Sequence, residues 1–126
     1  MTEVRSFRDL DVYRRAYKLS LDVHKATLGF PKVEQYALGD QMRRASKSVC
    51  ANIAEGFGRQ RTSPADFKRF LVMASGSCDE MQVWSDYGRD LGYLKAETAK
   101  AWLSEYIELA RMLHGLMAKW RPRSDF

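Results

Sequence analysis

Residues 63–92, SPADFKRFLVMASGSCDEMQVWSDYGRDLG, carry a helix-start signal at one end and a helix-stop signal at the other. Ser63 is a preferred N-cap residue, Pro64 suits the first helical position, and Asp66 stands three residues after the cap. No proline interrupts the residues between Pro64 and Gly92, and glycine is the residue that most often follows a helix. The stretch therefore predicts one long helix over residues 63–91.

Three further helices are predicted on either side of this one. They cover residues 8–28, 36–59 and 95–120, and Pro31 and Pro122 fall outside them. No period-two alternation and no Asn-Gly or Asp-Gly pair indicates a β-hairpin. Because short connections favour antiparallel neighbours, the sequence predicts an all-α fold, an antiparallel up-and-down four-helix bundle, with residues 1–126 as a single domain.

Composition indicates a globular protein that does not enter a membrane. Hydrophobic residues make up 45% of the 126 residues, which is enough to build a packed core. The N-terminal stretch MTEVRSFRDLDVYRR lacks the apolar core of a signal peptide, and no segment approaches a run of about 18 apolar residues. We therefore expect a cytoplasmic protein. Cys50 and Cys78 lack CxxC spacing and are predicted to be reduced thiols, with a disulfide between two helices as the alternative.

Positive charge is concentrated around the second predicted helix. The formal net charge of the chain is +5, and residues 31–62 hold six basic and three acidic residues. Residues 63–92 hold three basic and five acidic residues. Such an asymmetry often guides association with an acidic partner.

The second predicted helix also carries a polar stripe directly beside its apolar one. Ser48 and Asn52 are one turn apart and can form a hydrogen bond, and Glu55 and Arg59 have the spacing of an i, i+4 ion pair. One interpretation is a buried polar network that sets the register of the helix. The other is a polar groove that receives a ligand. The residues of the stripe that we single out are Gln41, Ser48, Asn52 and Glu55.

The apolar residues of the fourth predicted helix sweep about 180° around its axis, more than the stripe of roughly 100° that a bundle core requires. The simplest cover for the excess is another copy of the chain. Its contact is predicted along one edge of the arc, at Trp102, Leu109, Leu113 and Trp120, and on the back of the second helix, at the small residues Cys50, Ala51 and Ala54. The alternative is a wide face covered by the chain's own helices.

The sequence offers no recognisable catalytic chemistry, metal site or cofactor site. His24 and His114 are the only histidines, and they belong to no HExxH, ExxH or Cys-His cluster. His24 is interpreted as a residue at the edge of the core. No glycine-rich phosphate loop follows a predicted strand. We therefore predict a protein that is not an enzyme and that uses no cofactor.

Several motifs are shared with one known family. Residues 31–59 follow the pattern P-x-x-E-x-Y-x-L-x-x-Q-M-x-R-A-S-x-S-V-x-x-N-I-A-E-G-x-x-R. Residues 7–16 give F-x-x-L-x-V-Y-x-x-A, residues 67–80 give F-x-x-F-L-x-x-A-x-G-S-x-x-E, and residues 91–94 are LGYL. Over nearly its whole length the chain resembles the four-helix-bundle proteins encoded in intervening sequences of bacterial 23S ribosomal RNA genes, also called ribosomal S23-like proteins. More loosely, it is similar to the accessory variability proteins of diversity-generating retroelements.

The resemblance implies an antiparallel four-helix bundle that assembles into a homopentamer. The retroelement proteins bind nucleic acid and a reverse transcriptase, so RNA, DNA and a reverse transcriptase are the partners it suggests, together with further copies of the chain. The positions of this sequence that would carry a basic nucleic-acid-binding surface are Arg43, Arg44, Lys47, Arg59 and Arg61.

Two functions of different classes follow. The first is an oligomeric accessory protein that binds RNA or DNA, because a ring multiplies weak phosphate contacts by its copy number. The second is a scaffold whose partner is another protein. A third and weaker hypothesis is a small-molecule carrier that uses the polar stripe.

Overall fold

Residues 4–119 fold into four α-helices joined by short connections. A computed structural model describes residues 4–119. The helices are α1 (Asp11–Thr27), α2 (Leu38–Gly58), α3 (Pro64–Asp90) and α4 (Ala96–Lys119), and residues 4–119 contain no β-strand. The predicted all-α class is confirmed.

Both ends of α3 form as their local signals predict. The Ser63 side chain accepts a hydrogen bond from the backbone N–H of Asp66 at 3.3 Å, and Pro64 is the first helical residue. At the other end Gly92 has φ +82°, a left-handed conformation that costs glycine little. The backbone N–H of Tyr93 then donates to the Gly88 carbonyl at 2.8 Å and satisfies the end of the helix.

The first two helices begin later than predicted, because short 3-10 turns take up the residues before them. Ser6 and Asp9 form a capping box around a turn at Phe7–Asp9, and the backbone of Leu10 is extended before α1 begins at Asp11. A second turn at Lys32–Glu34 precedes α2, which begins at Leu38. The two starts therefore lie three and two residues later than predicted.

Contacts between the connections show the up-and-down topology. Tyr93 lies between α3 and α4, and its hydroxyl donates to the Glu34 carboxylate, between α1 and α2, at 2.8 Å. The Phe30 and Tyr93 rings are 5.4 Å apart, so the two connections share one end of the bundle. Helix α2 packs between α1 and α3, and α4 packs on α3 and less extensively on α1. Arg15 and Glu105 form a bidentate ion pair between α1 and α4 at 2.9 and 3.0 Å.

The structure corrects most of the predicted contact between copies. Leu109 and Leu113 are fully buried within the single chain, and Trp102 is nearly so. The edge of the α4 arc that holds these residues is covered from the same chain, because α4 packs on both α3 and α1. Cys50 is also buried, within the chain's own core. Trp120 lies outside the described residues.

A different apolar surface is exposed on α3. Its buried side chains fill one side of the helix, and a second apolar row occupies about 100° of the opposite side. We call this row the outer α3 face. It consists of Val72, Met73, Gly76, Val83 and Tyr87.

Candidate nucleic-acid interface

The five basic positions predicted to bind nucleic acid occupy different environments, and Arg43 faces the interior of the fold. Its guanidinium donates to the Thr27 hydroxyl at 3.0 Å and to the Gln35 backbone carbonyl at 2.5 Å. The Gln35 side-chain amide in turn donates to the carbonyls of Thr27 and Phe30, each at 2.9 Å. Arg43 therefore holds the connection between α1 and α2, and its predicted role as a phosphate contact is corrected to a structural one.

Arg44 and Lys47 lie on the solvent-facing side of α2. The Arg44 side chain is 76% exposed, and its closest ionic contact is with Asp40 at 3.7 Å. Arg44 and Lys47 are three positions apart in the helix, which places them about 60° apart around its axis. An exposed ion pair of this length contributes little, so the Arg44 guanidinium is available to an anion.

Lys47 contacts the edge of α1. Its ammonium is 2.9 Å from His24 Nδ1, and because an ammonium only donates, that ring nitrogen accepts in this contact. Burial, and secondarily the nearby charge of Arg43, lower the pKa of Lys47. His24 is half-buried at the edge of the core, as predicted.

Arg59 and Arg61 lie at the far end of α2, and carboxylates surround Arg59. Its guanidinium is 3.2 Å from Glu55 and 3.7 Å from Asp66, and it stands over the Phe70 ring at 5.1 Å. The predicted i, i+4 pair with Glu55 is confirmed. Arg61 is exposed in the connection to α3. The positive charge of Arg59 is thus largely compensated within the chain.

The polar stripe connects α2 to α3. The Asn52 amide donates to the Ser48 carbonyl at 2.9 Å and to its hydroxyl at 3.0 Å, which confirms the predicted link along the helix. Ser77 of α3 donates to the Ser48 hydroxyl at 2.9 Å, a partner that the helical period of α2 alone could not reveal. These bonds favour the network that sets register over a ligand groove. Gln41 and Glu55 lie on the exposed side of the stripe.

A groove that sequence reasoning missed runs between α1 and α2. We call it the α1–α2 groove, and its volume is about 510 Å³. Tyr13 and Tyr17 stand on its α1 side with their rings 6.0 Å apart and 20° from parallel, and Phe7 packs edge-on against Tyr13 at 4.8 Å. Its lining residues are Phe7, Tyr13, Tyr17, Ser20, Leu21, His24, Lys47, Cys50, Ala51 and Ala54.

Three of the residues predicted to contact another copy therefore line this groove. Cys50, Ala51 and Ala54 face α1 of the same chain across this groove, and the predicted contact of Ala51 and Ala54 with another copy stays a prediction. Ala51 remains exposed and Ala54 half-exposed within the groove. The spacing of two tyrosines, Tyr13 and Tyr17, one turn apart on α1 was the signal that could have identified the site.

The described residues offer no obvious catalytic or metal chemistry. Both cysteines are free thiols, and burial raises the pKa of Cys50 and raises the pKa of Cys78 to about 12. Since the thiolate is the reactive form, neither is primed for nucleophilic attack. Residues 4–119 contain no cluster of three or more side chains of the kinds that bind metals. No helix among them is both long and apolar enough to cross a bilayer.

The geometry defines a class of protein, a four-helix bundle with a basic solvent-facing arc on α2 beside an aromatic groove. The family comparison is more specific. Residues 8–115 match the 23S rRNA-intervening sequence protein family, and the chain belongs to that family. The looser resemblance to retroelement accessory proteins stays a prediction.

A solved structure has the same fold. It is a crystal structure at 1.70 Å resolution of a protein with unknown function from the S23 ribosomal protein family of Bacteroides thetaiotaomicron. The two chains are 20% identical with a TM-score of 0.73, and the match covers 84% of this chain and 97% of the other. Among curated proteins the comparison found no match.

Proposed function

We propose that this protein is a non-enzymatic, cytoplasmic accessory protein that binds RNA or DNA as a homo-oligomer, a pentamer by its resemblance. One observation carries the proposal: Arg44 and Lys47 share the solvent-facing arc of α2, with the Arg44 side chain 76% exposed. Two cations per subunit bind phosphate weakly. Several subunits that present them together would bind far more tightly through avidity.

A salt series tests this proposal. We expect the purified protein to bind structured RNA and duplex DNA with an affinity that falls steeply as salt rises. Replacing both Arg44 and Lys47 with glutamate should reduce the slope of log affinity against log salt by about two for each subunit that contacts the duplex DNA, because each phosphate contact contributes about 0.9 to it.

The matched control replaces Lys95 and Lys100 with glutamate, since both are exposed at α4 and the net charge changes equally. If the two double variants weaken binding to the same degree, then net charge alone, and not the arc on α2, attracts the nucleic acid. Absence of binding even at low salt would refute nucleic-acid recognition.

The outer α3 face supports a second candidate function, a scaffold that binds a protein partner such as a reverse transcriptase. Val72, Val83 and Tyr87 are each about half exposed on this face, with the exposed Glu80 among them, and clustered exposed apolar side chains mark interaction surfaces. The same face is the candidate contact between copies, because the residues first predicted for that contact are mostly buried. The molecule that binds this face, another copy of the chain or a different protein, decides whether the face serves the oligomer or the scaffold.

Replacing both Val72 and Val83 with aspartate distinguishes a second copy of the chain from a protein partner on this face. If copies meet on the outer α3 face, we expect the double variant to sediment as a monomer while the unchanged protein sediments as an oligomer, because burying two carboxylates in an apolar interface is costly. An oligomer that survives the substitutions would exclude this face as the contact between copies and favour a protein partner there. The control is aspartate at Ala101, an exposed position on α4.

A further inference from the structure

We propose that the α1–α2 groove binds the unpaired bases of single-stranded nucleic acid, with Tyr17 as the stacking platform and the flanking basic side chains as phosphate contacts. This inference rests on the proposed nucleic-acid binding and specifies its substrate class. It assigns a role to Tyr17 of α1, which no sequence motif singled out.

The groove is open because large side chains face small ones across it. On α1 the wall consists of aromatic rings, whereas Ala51 and Ala54 on α2 end at Cβ and cannot fill the space opposite them. The volume of about 510 Å³ lies within the range of ordinary ligand pockets. A flat group can therefore enter between the two helices.

The aromatic rings are arranged as a stacking surface. The near-parallel rings of Tyr13 and Tyr17 stack on each other along α1, and Tyr17 remains 50% exposed and open to a further ring. Bases stack on such rings with little dependence on sequence, because every base presents a π face. Bases inside a duplex are already stacked on one another, so this surface favours unpaired ones.

The charge around the groove suits a polyanion. Lys47 stands at one end, and Arg8 and Arg14 line an adjoining hollow that shares Tyr13 and Tyr17 with the groove. Within residues 4–119, no carboxylate is among the residues that line either space.

These cations can reach a phosphate. Arg14 is bound to Asp11 at 2.7 Å, but both side chains are mostly exposed, and pairs of that kind are weak enough for a phosphate to compete. The Arg8 guanidinium lies over the Phe7 ring at 4.5 Å. Because the ring carries no net charge, this contact does not neutralise the guanidinium. An apolar groove with cations at both ends and no lining carboxylate fits a nucleic-acid strand better than a second copy of a chain that is itself positively charged.

The test compares binding of a labelled oligouridine of about 20 nucleotides, longer than a typical single-strand site, with binding of a duplex DNA of similar length. Tyr17→Ala should weaken binding of the single strand about tenfold and leave duplex binding unchanged. Tyr17→Phe keeps the ring and should bind as the unchanged protein does. The matched control is Tyr87→Ala, since Tyr87 is a 53% exposed tyrosine on the outer α3 face.

A second measurement on the unchanged protein does not depend on how the variants fold. Ultraviolet crosslinking to an oligonucleotide that carries 5-iodouridine should attach the base to Tyr13 or Tyr17. Adducts found only at other residues would overturn the proposal. Normal binding of the single strand by the Tyr17→Ala variant would also overturn it. If Tyr17→Ala instead dissociates an oligomer, the groove is a contact between copies, and the proposal is wrong. Duplex binding without single-strand binding overturns this inference alone, whereas loss of both refutes the proposed function as well.

Discussion

Replacing Leu109 with alanine is expected to lower the free energy of unfolding by about 3 kcal/mol, the middle of the range for a buried leucine. Leu109 has no exposed surface in the single chain, so its truncation leaves a cavity that the neighbouring helices cannot fully close. Chemical denaturation followed by circular dichroism measures the change. The slope of the transition should stay the same if only the stability of the native state has changed.

The control is Ile107→Ala on the same helix. Ile107 is 56% exposed, so its truncation should change the stability by less than about 1 kcal/mol. If Leu109 instead contacted another copy, its truncation would change the oligomeric state, and the loss of stability would depend on protein concentration. That outcome would contradict the position of Leu109 in the core.

Replacing Arg43 with methionine should cost about 2 kcal/mol, because its hydrogen bonds to Thr27 and to the Gln35 carbonyl are made by a charged donor in a half-buried site. The backbone between α1 and α2 should also exchange its amide hydrogens faster, since Arg43 and Gln35 together hold it. Denaturation and hydrogen exchange measure the two effects.

The adjacent residue supplies the comparison. Arg44→Met removes the same charge from the same helix but from an exposed side chain, and should change the stability by no more than about 0.5 kcal/mol. It should weaken nucleic-acid binding more than Arg43→Met does. The reverse pattern, a stable Arg43 variant that no longer binds nucleic acid, would restore Arg43 to the interface.

The helices could be predicted from the sequence because their signals act within one or two turns. Helix α3 begins after the Ser63 cap and ends before the left-handed Gly92, at the positions that these residues predict. The same locality explains the error at the start of α1. The Ser6–Asp9 capping box stabilises a short separate turn, and helical periodicity does not distinguish such a turn from the first turn of a longer helix.

The candidate site could be predicted only in part. Helical geometry correctly brings Ser48 to Asn52 and Glu55 to Arg59, since each pair lies within one helix. It places Arg43 only about 40° from Lys47 around α2. Despite this small rotation, Arg43 binds the connection before α2, whereas Lys47 lies at the edge of an open groove. The position of α1 relative to α2 causes this difference.

The sequence of this protein determined its helices, its four-helix class and its family motifs, because caps, breakers and apolar periodicity depend on residues close together in the chain. Tertiary structure alone decided which apolar faces are covered. Leu109 and Leu113 are buried because α1 and α3 flank α4, and Tyr17 and Ala51 form one groove although 33 positions of the numbering separate them. Burial and grooves depend on the distances between helices, which no single helix encodes.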